Sequence, residues 1–75
     1  SKKKLSYMET RELDQIEDKI AQAEASLEAA HRELEMPNVV SDAALLTKAV
    51  AAMELAQAEV DRLYVRWGEL EAKKA

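Results

Sequence analysis

Apolar residues in this chain fall twice on a seven-residue rhythm, and a single proline separates the two runs. The first run is Leu13, Ile16, Ile20, Ala23, Leu27, Ala30 and Leu34. The second is Leu46, Ala49, Met53, Ala56, Val60, Leu63, Trp67 and Leu70. Steps alternating between three and four residues hold one stripe of a helix against a neighbouring helix, as coiled-coil packing requires. Pro37 lacks a backbone donor and drives Met36 out of helical dihedrals, so Met36-Pro37-Asn38-Val39-Val40-Ser41 reads as a turn. So short a connection returns the second helix along the first. The predicted fold is all-α: two long helices in one intramolecular antiparallel coiled-coil hairpin, hence a monomer. The helices should span about 7–35 and 42–72, with the turn at about 36–41.

The residues test this register internally. Antiparallel partners should have numbers with a near-constant sum, and they do. Leu34 meets Leu46, Ala30 meets Ala49, Leu27 meets Met53, Ala23 meets Ala56, Ile20 meets Val60, Ile16 meets Leu63 and Leu13 meets Trp67. The same register sets Glu12 near Arg66 and Lys19 near Glu59, with Glu17 by Tyr64 and Glu24 by Gln57. Exposed ion pairs contribute little energy, so they select the register more than they stabilise it. Trp67 offers the largest apolar surface, at the open end. Met36 is expected to close the tip. Ser6-Tyr7-Met8-Glu9 is a capping-box sequence, and Ser41 and Asp42 suit the start of the second helix. Gly68 lies inside the second helix, where it costs about 1 kcal/mol relative to alanine and reads as a tolerated defect.

Composition narrows the function. Two helices of a 75-residue chain bury only the seam between them, leaving no thick core for an active site. No cysteine is present, so disulfide and thiolate chemistry are excluded and a reducing compartment is favoured. No apolar run approaches the roughly 20 residues of a membrane span. A net charge of −4 opposes nonspecific attraction to nucleic acid. The distribution of charge qualifies this, because Lys2, Lys3, Lys4, Arg11, Arg62, Arg66, Lys73 and Lys74 all fall at the open end of the hairpin.

No catalytic or metal constellation emerges. There is no glycine-rich phosphate loop, His31 stands alone, and the clustered carboxylates have no pocket to desolvate them. The domain is therefore expected to be non-catalytic, with no cofactor or metal of its own. Two surfaces remain. At the open end Tyr7, Tyr64, Arg66 and Trp67 sit among the lysines, and aromatics beside bases can hold nucleic-acid strands by stacking and phosphate contact. On the outer side of the second helix, Lys48, Ala51, Leu55, Ala58, Arg62 and Val65 form a mostly apolar stripe. Leu55 and Val65 are its candidate partner-docking residues.

The opening Lys3-Lys4-Leu5-Ser6-Tyr7, then Glu9 and Arg11-Glu12-Leu13, and the closing Tyr64-Val65-Arg66-Trp67 with Glu69-Leu70-Glu71 resemble the C-terminal domain of ABC-F ATPases, Uup-like branch. The resemblance covers nearly the whole chain and departs at Met8, at Gly68 and in the Met36-Pro37-Asn38 turn. It implies a C-terminal piece of a larger cytoplasmic protein. ATPase activity, ATP and Mg would belong to two cassettes outside these residues. It also implies weak, phosphate-driven binding of DNA or structured RNA by the eight basic residues at the open end. The alternative is a structural arm docking on its own ATPase domains, the ribosome or another protein partner.

Overall fold

A computed structural model describes residues 5–74. Three helices follow in chain order: α1 (Tyr7–Glu33), α2 (Pro37–Val40) and α3 (Ala43–Lys74). The long helices α1 and α3 pack together along an extended body, and α2 packs on α3 at the tip. Contacts far apart in sequence set the direction: Glu9 pairs with Lys73, Glu12 with Arg66, and Glu24 with Tyr64. Rising numbers on one helix meet falling numbers on the other, so the hairpin is antiparallel.

The two stripes form the seam as the heptad spacing predicts. Every one of their positions is buried or half-buried. Leu13, Ile16, Ile20, Ala23, Val60, Leu63 and Leu70 make one continuous apolar cluster, joined by partly buried Leu5, Leu27 and Trp67. Trp67 supplies area at the open end, but Leu70 is the most enclosed side chain, with no exposed surface. Leu5, ahead of the first stripe, helps to cover that end.

Capping fixes where α1 begins. Ser6 takes extended dihedrals, its Oγ accepts the Glu9 N–H at 3.1 Å, and Glu9 Oε1 accepts the Ser6 N–H at 3.1 Å. This is the reciprocal capping box. The far end of α1 stops two residues before the predicted Glu35. There the Glu35 N–H reaches Arg32 O at 3.0 Å and the Met36 N–H reaches Glu33 O at 3.2 Å. These bonds span three residues, so the last turn tightens before Met36 becomes extended, with ψ 130° ahead of Pro37.

The tip departs from the predicted irregular turn. Pro37 opens the single-turn helix α2, whose first position tolerates a residue without a donor. Val39, only 2% exposed, closes the tip, whereas Met36 is 49% exposed. Ser41 Oγ donates back to Pro37 O at 2.8 Å, leaving Asp42 alone to start α3. Asp42 Oδ1 accepts from the N–H groups of Ala44 (3.0 Å) and Leu45 (3.1 Å). α3 then continues to Lys74, past the predicted end at residue 72.

Two flank contacts gain detail. Glu59 makes its salt bridge to Arg62 on its own helix, while Lys19 stands near enough across the seam to help lower the same carboxyl. Tyr64 donates its hydroxyl to Glu24 at 2.7 Å, not to Glu17. Helical side chains lean toward their helix N-terminus, and for α3 that direction is the tip, which carries the phenol past Glu17 to Glu24.

Candidate nucleic-acid interface at the open end

The residues proposed for phosphate contact divide into three groups. Lys2, Lys3 and Lys4 lie outside the described residues. Arg62, Arg66, Lys73 and Lys74 all lie on α3, and each has a carboxylate partner. Arg62 grips Glu59 with two bonds, Nε to Oε1 at 2.9 Å and Nη2 to Oε2 at 2.8 Å. Arg66 makes the same fork on Glu12 across the seam, at 2.7 and 2.8 Å, and adds Glu69 at 3.0 Å. Lys73 binds Glu9, and Lys74 stands 4.0 Å from Glu71. A planar guanidinium against a carboxylate is among the stronger charge-assisted arrangements.

The electrostatics follow the geometry. The Lys73 ammonium and the Ser6 backbone N–H hold the Glu9 carboxyl down at about 2. The Arg66 fork lowers Glu12, and the Arg62 fork lowers Glu59. Both guanidiniums are correspondingly held more firmly in their charged form. The Glu24 carboxylate raises the Tyr64 phenol, because ionising it would place two negative charges together.

Arg11 forms the third group. It is exposed on α1, makes no carboxylate pair among the described residues, and lies over the Tyr7 ring, 5.9 Å from its centroid. Tyr7 is 73% and Met8 72% exposed. The structure thus brings Tyr7 and Arg11 together, and separates both from Tyr64, which points toward the middle of the hairpin. Trp67 is engaged by the apolar cluster. The other candidate surface stands clear of the seam, with Leu55 74% and Val65 64% exposed.

The double role of Glu9 was missed at the sequence level. One carboxylate caps α1 through Oε1 and ties it to the end of α3 through Oε2. The signal existed in the capping box, but its partner Lys73 lay beyond the helix end predicted at residue 72.

Among the described residues no helix is long and apolar enough to cross a membrane. No group of three or more His, Cys, Asp or Glu side chains there could hold a metal ion.

Comparison with known proteins bears on the whole hairpin. The family described as ABC transporter C-terminal domain matches residues 4–72. Two proteins of Haemophilus influenzae, an ATP-binding protein Uup-like and an ATP-binding protein Uup, are each 35% identical to this chain over 72 residues. Those residues are 95% of this chain but only 16% and 11% of the two relatives, so the chain spans a small part of their length. No solved structure matches. The helical hairpin and its capped, clasped open end are therefore those of a chain that belongs to the ABC transporter C-terminal domain family, similar to the domain of Uup-like ABC-F proteins.

Proposed function

We propose that this hairpin is a non-catalytic accessory domain of a cytoplasmic ABC-F ATP-binding protein, and that it binds DNA or structured RNA weakly through its open end. ATP hydrolysis, with its Mg, is assigned to domains outside these residues. The observation that carries the reading is Arg11. Among the described candidate cations it alone lacks a carboxylate partner, and in sequence it follows the Lys2-Lys3-Lys4 run. Arg62, Arg66, Lys73 and Lys74 would contribute less, because a phosphate must first displace a carboxylate already in place. Local positive charge on a chain of net charge −4 supports affinities in the range of nonspecific contacts, about micromolar or weaker at physiological salt.

The test is a binding titration of labelled nucleic acid against rising salt. Replacing Lys2, Lys3, Lys4 and Arg11 with Gln should weaken binding and flatten the log–log salt slope by about 0.9 for each duplex phosphate no longer neutralised. Changing Arg62 and Lys74 to Gln should do much less. Unchanged binding in the fourfold variant would refute the assignment.

A second reading rests on the outer stripe of α3, where Leu55 and Val65, ten residues apart, remain exposed. That face would dock the hairpin on the ATPase domains of its own chain or on a protein partner such as a ribosomal one. Leu55→Ser with Val65→Ser should then abolish protein association while leaving nucleic-acid binding and its salt dependence intact.

A further inference from the structure

Of the aromatics at the open end, Tyr7 is the most exposed, at 73% against 45% for Tyr64. Trp67 packs on the apolar cluster, and Tyr64 spends its hydroxyl on Glu24. Tyr7 does neither. The capping box of Ser6 and Glu9 fixes Tyr7 at the first position of α1, off the apolar stripe, where the ring has no seam to enter. Arg11, one turn along, sets its guanidinium over the ring, and at 73% exposure most of the residue still faces water. Beside this pair, Met8, Arg11, Glu12 and Gln15 line a shallow recess of 380 Å³ along α1. Glu12 is committed to Arg66, so Gln15 is the polar side chain with an amide to offer.

We infer that Tyr7 is a base-stacking platform, so that the open end selects unpaired over paired nucleic acid. The inference rests on the nucleic-acid reading above and names its substrate class. Arg11 can contact phosphates of either form. The face of an aromatic ring can be met only by a base that has left its own stack, whatever that base is. A guanidinium over the ring adds cation–π attraction and pre-orients the phenol, lowering the cost of ordering it on binding.

The experiment compares short oligothymidylate with a duplex of equal length, bound to the full chain at one low salt concentration, for wild type, Tyr7→Leu and Tyr7→Trp. Leucine suits the first turn of a helix and touches no core position, and circular dichroism confirms that each variant is folded. Tyr7→Leu should weaken oligothymidylate binding about 5- to 150-fold, the equivalent of one stacked base at about 1–3 kcal/mol. Duplex binding should change less than about twofold, and Tyr7→Trp should restore the single-strand affinity. An equal loss on both ligands, or none on the single strand, would overturn the platform while leaving nucleic-acid binding standing. Failure of the wild type to bind either ligand would instead remove the nucleic-acid reading, and the platform with it.

Discussion

Glu9 shows how much one side chain can carry at a helix end. Its two oxygens serve different partners, the Ser6 backbone and the Lys73 ammonium, so the cap of α1 and the end of α3 are held by the same charge. The carboxyl sits at about 2 in the folded chain, against an ordinary value of 4.5. A depressed folded value means that the unfolded chain takes up the proton first. The stabilisation is therefore complete above about pH 4.5 and is lost as pH falls from there toward about 2. Glu9→Gln keeps an acceptor for the Ser6 N–H but has no proton to gain. Melting temperatures measured across this range should fall less steeply in Glu9→Gln than in wild type. Glu12 and Glu59, also lowered by their arginines, account for the slope that remains. Equal slopes would show that the Glu9–Lys73 contact contributes nothing in solution. Half of this arrangement was legible in advance. Ser6-x-x-Glu9 is a local pattern, whereas the bond to Lys73 depends on α3 extending beyond its predicted end.

At the scale of elements, the heptad stripes specified both long helices, while the ends answered to chemistry the stripes do not contain. The end of α1 was misplaced because Leu34 still belongs to the apolar rhythm although the backbone has already tightened toward Pro37. The same proline, read only as a breaker, also opens α2, and so Val39 rather than Met36 was delivered to the tip. Of the basic residues grouped at the open end, Arg66 and Lys73 reach across to Glu12 and Glu9 at the start of α1. Their pairing was less legible, since long side chains on one helix have several carboxylates in reach, and spacing alone does not rank them. Gly68 permits a direct test of an element without a tertiary complication. It is exposed, and a Cβ placed there would meet nothing within 4 Å. Gly68→Ala should therefore express helix propensity alone, stabilising the hairpin by about 1 kcal/mol and raising its melting temperature by about 4–8 °C. A lower melting temperature would mean that α3 is not helical through this point.

Across the whole molecule the packing is graded, and the gradient runs against the covalent connection. The buried positions of α1 are Leu13, Ile16, Ile20 and Ala23, facing Val60, Leu63 and Leu70 on α3. Toward the loop, Leu27, Ala30 and Leu34 are half-buried, as are Leu46, Met53 and Ala56. Only Val39 and Ala49 are buried near the tip. Small residues in those middle layers leave less apolar area to remove from water, so the end without a covalent link has the stronger seam. Backbone amides of residues 16–23 and 60–67 should then exchange hydrogen more slowly than those of 27–34 and 46–53, and opening should begin beside the loop. Leu70→Ala should cost about 2–4 kcal/mol in chemical denaturation, since a fully enclosed leucine leaves a cavity its neighbours fill poorly. The half-buried Met53→Ala should cost less than half as much, because water already reaches that site. Exchange that is fastest at the open end, or a Leu70→Ala penalty no larger than that of Met53→Ala, would place the strength of the seam at the tip instead. The predicted gradient also suits the binding role proposed for Tyr7 and Arg11. The helix end that carries them is braced by the best-packed layers of the hairpin, so binding need not first order the surface that does the binding.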